Sequence, residues 1–179
     1  TNITIAGNVI QGYETGIIIS DVAAVHVFNN TIIHCGTGIS CTNVDALLIE
    51  KNTLDSNIGY AVVLGSLVTN ATITGNAFLN NNNGGVQALD NSAGGSWAGN
   101  YWSDYMARYP NATSTAGIWD EPYVVDGSAG ASDGAPAVYA PSDSIGTKLS
   151  ALDAHLGILE GLIDGLSNHG KRTACMNHL

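Results

Sequence analysis

Apolar residues in the first hundred positions recur in blocks, and the blocks come into register when the chain is aligned on one asparagine. The anchors are Asn8, Asn30, Asn52, Asn76 and Asn100, separated by 22, 22, 24 and 24 residues. Five positions before each anchor stand Ile3, Val25, Leu47, Ala71 and, breaking the pattern, Gly95; three before stand Ile5, Val27, Ile49, Ile73 and Trp97. Two positions after it come Ile10, Ile32, Leu54, Phe78 and Trp102. A second apolar stretch follows a glycine (Gly16, Gly38, Gly59, Gly85), with inward positions expected at Ile17 and Ile19, Ile39 and Cys41, Tyr60 and Val62, and Val86 and Ala88. Period-two spacing over so few residues predicts short strands with one buried face.

A single block of this length cannot bury its own apolar face, so its stability depends on neighbouring blocks stacked at strand spacing, about 4.8 Å apart. The fold class that follows is all-β: a right-handed parallel β-helix, or solenoid, of about four to five rungs. Asn8, Asn30, Asn52, Asn76 and Asn100 are expected to form a structural ladder at a tight bend, each side chain bonding to backbone amides and to the next asparagine. A β-sandwich is the competing architecture, but its hairpins do not repeat a unit of this length with one residue type at one bend.

The pattern divides the chain into rungs over 1–98, a closing aromatic segment over 99–135, a linker over 136–144 rich in Ala and Pro, a helix over 145–167 and a tail over 168–179. The C-terminal α-helix carries Ile145, Leu149, Leu152, Leu156, Leu159, Ile163 and Leu166, the alternating four-and-three spacing of a heptad seam. Gly157, Gly161 and Gly165 line a neighbouring face and admit close approach of another backbone. Such a helix serves assembly between subunits or covers its own solenoid, and the sequence leaves both open.

Charge narrows the partners. Fifteen acidic against five basic residues give a formal net charge of −10, and Lys51 is the only basic side chain between Thr1 and Ala107. Nucleic acid is excluded as a partner, because phosphate recognition needs clustered Lys and Arg. No apolar run is long enough for a membrane-spanning helix. Charged residues make up 11% of the chain, so its polar surface is built of amides and hydroxyls, as suits extracellular or cell-surface material. Cys35, Cys41 and Cys175 are an odd number, and their pairing stays open. Sequons at Asn2, Asn29, Asn70 and Asn111 are glycosylation candidates in that setting. The missing initiator Met and signal sequence, with a start inside a repeat, read as a processed or trimmed product.

Residues Gly99 to Tyr105 read Gly-Asn-Tyr-Trp-Ser-Asp-Tyr, and Asp120 to Gly127 read Asp-Glu-Pro-Tyr-Val-Val-Asp-Gly. This pair of motifs, with the repeats before it, resembles the C-terminal end of NosD-like right-handed β-helix repeat proteins, common among secreted and cell-surface proteins of methanogenic archaea. The resemblance implies an Asp- and Gly-rich, cation-suited segment between the motifs. Here Met106 to Gly117 holds no carboxylate, which leaves Asp104, Asp120, Glu121 and Asp126 as the candidate Ca²⁺ ligands. The competing role for this region is closure of the column by Tyr101, Trp102, Tyr105 and Tyr123. The NosD name also implies copper, for which His26, His34 and Cys35 share one rung, but both histidines fall at outward positions. No cofactor is therefore expected, with Ca²⁺ the one possible exception.

Enzyme chemistry finds little purchase. A lyase base would have to be Lys51, and Glu14, Asp21, Asp45, Glu50, Asp55 and Asp90 form no convincing pair at hydrolase spacing, with most of them read as a solvated edge. The function expected is a non-enzymatic structural or adhesive subunit of a surface layer, sheath or filament, self-associating through the open solenoid end and the C-terminal helix. The alternative is a carbohydrate-binding module or degenerate polysaccharide-acting domain whose glycan would stack on Tyr13, Tyr60 or Trp119, with Tyr60 more naturally a core residue aligned with Ile17 and Ile39.

Overall fold

The computed structural model describes residues 2–141. The expected helix seam from Ile145 to Leu166, the tail and Cys175 lie outside the described residues.

Each coil begins with a strand, turns at an asparagine and continues in a second strand. The first coil holds β1 (Ile3–Ala6) and β2 (Val9–Gln11). The long strand β3 (Thr15–Phe28) joins the first coil to the second, which continues through β4 (Thr31–Ile33) into β5 (Thr37–Glu50). The third and fourth coils contain β6 (Thr53–Asp55), β7 (Val62–Leu64), β8 (Thr69–Thr74), β9 (Ala77–Leu79) and β10 (Ala88–Asp90). The last regular coil starts with β11 (Ser96–Ala98) and β12 (Tyr101–Trp102). All these strands pair in parallel with the coil above and below, in the order β1-β3-β5-β8-β11 on one face and β2-β4-β6-β9-β12 on another.

The registers match the expected columns. Ile5 pairs with Val27, Val27 with Ile49, Ile49 with Ile73 and Ile73 with Trp97; Ile10, Ile32, Leu54, Phe78 and Trp102 form a second column. Val27, Ile32, Ile49, Leu54, Ile73 and Phe78 are wholly buried, so the interior is a continuous aliphatic core that becomes aromatic toward its C-terminal end. There Phe78, Trp102 and Tyr123 stack face to face, with ring centroids 4.2 and 3.9 Å apart.

The bend that closes each coil has a uniform cause. The residue before every anchor is left-handed: Gly7, Asn29, Lys51, Gly75 and Gly99 have φ between 53° and 69°. That conformation reverses the strand and turns the following asparagine inward. A second bend repeats the device, with Gly12, His34, Ser56 and Asn80 left-handed before Tyr13, Cys35, Asn57 and Asn81.

The third strand of the coils departs from its expected register. Ile39 pairs with Val62, and Val62 with Ala88, so Gly38 lies beside Ala61 rather than Gly59. The coil after Asn52 inserts one residue ahead of this strand and one after it, so the glycine moves with the loop while the apolar face does not. Tyr60 accordingly leaves the core: it is half-buried, and its hydroxyl donates to Asp126 at 3.1 Å. Gly38 is required where it stands, because a Cβ would lie 2.3 Å from the Ala61 carbonyl oxygen.

Beyond β12 the chain makes the short helix α1 (Tyr105–Arg108), a two-stranded ribbon of β13 (Ser114–Thr115) and β14 (Ile118–Trp119), and then β15 (Tyr123–Val124) and β16 (Ser132–Asp133). This segment is a degenerate final coil: Asp126 bridges Leu89, Asp133 pairs with Trp97, and Ala137 bridges Tyr101. Pro136 is buried, and its carbonyl accepts from the Trp119 amide.

Candidate functional site

The ladder gives the solenoid a chemical direction. The backbone N–H and the Nδ2 of Asn8 both donate to Oδ1 of Asn30, at 3.0 and 2.9 Å, and the same pair of bonds runs from Asn30 to Asn52, Asn52 to Asn76 and Asn76 to Asn100. Each Nδ2 also reaches back to a carbonyl of the preceding coil: Asn30 to Ile5, Asn52 to Val27, Asn76 to Ile49 and Asn100 to Ile73. Between anchors, each Oδ1 therefore faces the N-terminal side, and the amide and Nδ2 that donate to the next Oδ1 face the C-terminal side.

At the C-terminal end the donors meet Asp133. Its two carboxylate oxygens accept from the Asn100 amide and Nδ2, the Gly99 and Ala135 amides and the Trp102 indole, while the residue itself is 0% exposed. A second buried ladder runs alongside, from the Cys35 amide to Asn57, Asn81 and Gln87, and it too ends on a carboxylate, Asp104. The Tyr123 hydroxyl and Arg108 complete the bonding of Asp104, and the Arg108 guanidinium lies over the Tyr123 ring. Burial and the facing Asp104 carboxylate push the Tyr123 phenol up from its ordinary value.

Among the described residues the stack begins with the coil of β1 and β2. β1 and β2 are the outermost strands of their sheets, and among the described residues no donor reaches Oδ1 of Asn8. Ile3 is 40% exposed, where its counterparts Val25, Leu47 and Ala71 deeper in the column are buried. The first described coil has its backbone and ladder atoms arranged as on the interior coils.

The residues singled out for cation binding are not brought together. Asp104 ends the second ladder, Asp120 accepts from the Thr113 amide and hydroxyl, Asp126 accepts from Tyr60, and Glu121 is an exposed neighbour whose backbone carbonyl accepts from Tyr105. The hydrogen bonds from Thr113 hold the Asp120 carboxyl below the usual carboxylate range. Among the described residues no three His, Cys, Asp or Glu side chains cluster as metal ligands would.

Asp90, grouped by its sequence with the solvated acids, is fully buried and accepts from the Ser92 amide and the Trp97 indole. Of the aromatic residues proposed for sugar stacking, Tyr13 is 65% exposed, while Trp119 lies against Tyr105 with centroids 4.9 Å apart. The sequon asparagines Asn2, Asn29, Asn70 and Asn111 all lie at the surface, Asn70 donating to Asp45 at 2.8 Å.

A family model described as periplasmic copper-binding protein (NosD) matches residues 1–107, the regular coils and the start of the closing segment. The chain belongs to the NosD family. That membership supports placement outside the cytoplasm, and no helix among the described residues is long and apolar enough to cross a membrane. No curated protein and no solved structure matches the chain.

The copper in the NosD description finds no fitting donor set among the described residues. Cys35 is 0% exposed, with its Sγ near the Ile33 carbonyl, and Cys41 is 1% exposed in the core. His34 is exposed at a bend, while His26 bonds Glu50 at 3.0 Å and stacks on Phe28. Copper needs thiolate, thioether or imidazole donors converging on one point, and these point apart.

Both thiols are free and buried, as small apolar side chains. Burial pushes the Cys41 thiol up from 9.0 to about 12. Because the folded protein holds this proton more tightly than the unfolded chain, the contribution is complete below pH 9 and is lost as pH rises toward 12. The loss attributable to Cys41 is about 4 kcal/mol across that window. Urea unfolding of the parent and of Cys41→Ala at pH 8, 10 and 11 checks this: the gap in stability should narrow as pH rises, and parallel pH dependences would refute it.

Proposed function

We propose that this NosD-family protein is a non-enzymatic structural or adhesive subunit of an extracellular assembly, such as a surface layer, sheath or filament. The observation that carries the reading is the one-way stack: among the described residues its parallel sheets run from the edge strands β1 and β2 to the aromatic cap. An unpaired edge with its ladder acceptors in place is a template for another chain. The surface fits the same role, since 11% charged residues leave few groups for proton transfer. The acids Asp90, Asp104 and Asp133 commit their oxygens to structural bonds.

The assembly contact in this reading is the open end, with Asp133 and Tyr123 closing the opposite one. Sedimentation velocity of the full chain over a wide concentration range, with electron microscopy of the same samples, tests it. Ordered oligomers, sheets or filaments are the expected result. A monomer at every concentration, with no ordered particles, would remove the reading.

A further inference from the structure

We infer that Asn83 is a site of spontaneous covalent modification, losing its side-chain amide through a cyclic imide closed with the backbone nitrogen of Gly84. The inference is independent of the assembly reading. Asparagine is thermolabile because the next main-chain nitrogen can attack its Cγ, and the attack is limited by the bulk of the following residue and by the freedom of the chain. Asn83-Gly84 is the sole Asn-Gly step in the sequence. It forms the tip of the loop between β9 and β10, where both residues are exposed and left-handed, with φ of 48° and 85°. A Cβ built on Gly84 would meet nothing within 4 Å, and among the described residues the Asn83 side chain makes no hydrogen bond. The flanks, by contrast, are pinned: the Asn82 amide donates to the Asn57 and Gly59 carbonyls, its Nδ2 to the Val86 carbonyl, and the Gly85 amide to the Asn82 carbonyl at 2.7 Å. The tip can therefore turn about its own bonds while β9 and β10 stay in register.

The step needs only the chain and water. The Gly84 nitrogen gives up its proton and bonds to Cγ of Asn83, Nδ2 leaves as ammonia, and water opens the imide at either carbonyl to leave aspartate or an isoaspartyl link. Nothing is oxidised or reduced. The product adds one negative charge to the surface of a chain whose formal net charge is already −10. The ladder asparagines are held back twice over: they precede Val9, Thr31, Thr53, Ala77 and Tyr101, whose side chains crowd the attacking nitrogen, and their Nδ2 groups are hydrogen-bonded. The same imide closes from aspartate before glycine, and the two Asp-Gly steps among the described residues are shut. Asp133 is buried with both oxygens occupied. Asp126 accepts from Tyr60, and the Gly127 after it is packed so tightly that an added Cβ would lie 2.1 Å from the Asp90 carbonyl oxygen. Freedom of the chain and absence of a side chain coincide at Asn83-Gly84.

The full chain is incubated under native conditions at pH 8 and again at pH 9, and its peptides are mapped over time by mass spectrometry, with electron-transfer fragmentation separating aspartate from isoaspartate. Conversion at Asn83 should run at least about 10-fold faster than at any ladder asparagine, yield both products and speed up with pH. Gly84→Ala should slow it by about 10-fold or more, because the added methyl group crowds the attacking nitrogen. Since alanine at that left-handed position also strains the turn, Asn83→Gln is run beside it. Its larger ring closes more slowly, so ammonia release should fall as far with Gly84 intact. Tryptophan fluorescence in urea checks that both variants keep the parent's fold. If native Asn83 keeps its amide while the urea-unfolded chain loses it, the left-handed turn protects the step and the inference is overturned. Conversion in Gly84→Ala as fast as in the parent overturns it as well.

Discussion

Replacing Asp133 with Ala is expected to lower the stability of the C-terminal end by about 3–5 kcal/mol, among the largest effects available from one side chain here. The substitution leaves five donors without an acceptor: the amides of Gly99, Asn100 and Ala135, Nδ2 of Asn100 and the Trp102 indole. Several are sealed from water, since Asn100 and Trp102 are buried with Asp133 itself. Asp133→Asn tests the chemistry without changing the shape. One of its two terminal atoms becomes an NH₂ group, so wherever the amide turns, donors face a donor. Because Trp97, Trp102 and Trp119 all lie toward this end, urea unfolding followed by tryptophan fluorescence reads the loss directly. A parent-like midpoint in Asp133→Asn would show that the carboxylate is not the acceptor on which the cap depends.

Asp133 also shows which parts of the architecture are legible from sequence. The ladder and its columns are readable because both are periodic: the anchors recur and the apolar residues keep their offsets, and tertiary pairing follows that period. Tyr60 is misplaced when glycine is read as the marker of the third strand's register, whereas the structure holds the apolar face constant and lets the loop slide. Asp90 and Asp133 are illegible for a different reason. An acid reads as solvent-facing by default, and only the coordinates show a carboxylate surrounded by backbone and indole donors.

The second ladder does leave a signal in the sequence. Asn57 and Asn81 stand five residues after Asn52 and Asn76, the same offset that separates Cys35 from Asn30. Each follows a left-handed residue, as the main anchors do. The four acids expected to bind Ca²⁺ are neighbours along the chain only. In space, Asp104, Asp120 and Asp126 serve a ladder end, a turn and a tyrosine.

An interior rung demands the opposite chemistry from the end, so Asn76→Asp is expected to destabilise the solenoid by about 3–5 kcal/mol at neutral pH. Asn76 accepts from Asn52 of the preceding coil, while its Nδ2 donates to the Ile49 carbonyl of that coil, to the Thr74 carbonyl and to Oδ1 of Asn100 in the next. A carboxylate keeps the first set and turns an oxygen toward three acceptors, in a position that is 0% exposed. The introduced acid is thus held by the fold in its protonated form, with a folded pKa above the unfolded value. The sign follows: the variant regains stability as pH falls through that folded value, because the proton restores one donor. Asn76→Leu lacks this rescue, since it loses donors and acceptor together at every pH. Unfolding midpoints of both variants relative to the parent, measured at pH 5 and pH 8, separate the two cases. A pH-independent deficit in Asn76→Asp would mean that its carboxylate escapes the ladder. The one-way run of donors, from Asn8 to the closing carboxylate at Asp133, would then not be what sets the direction of the stack.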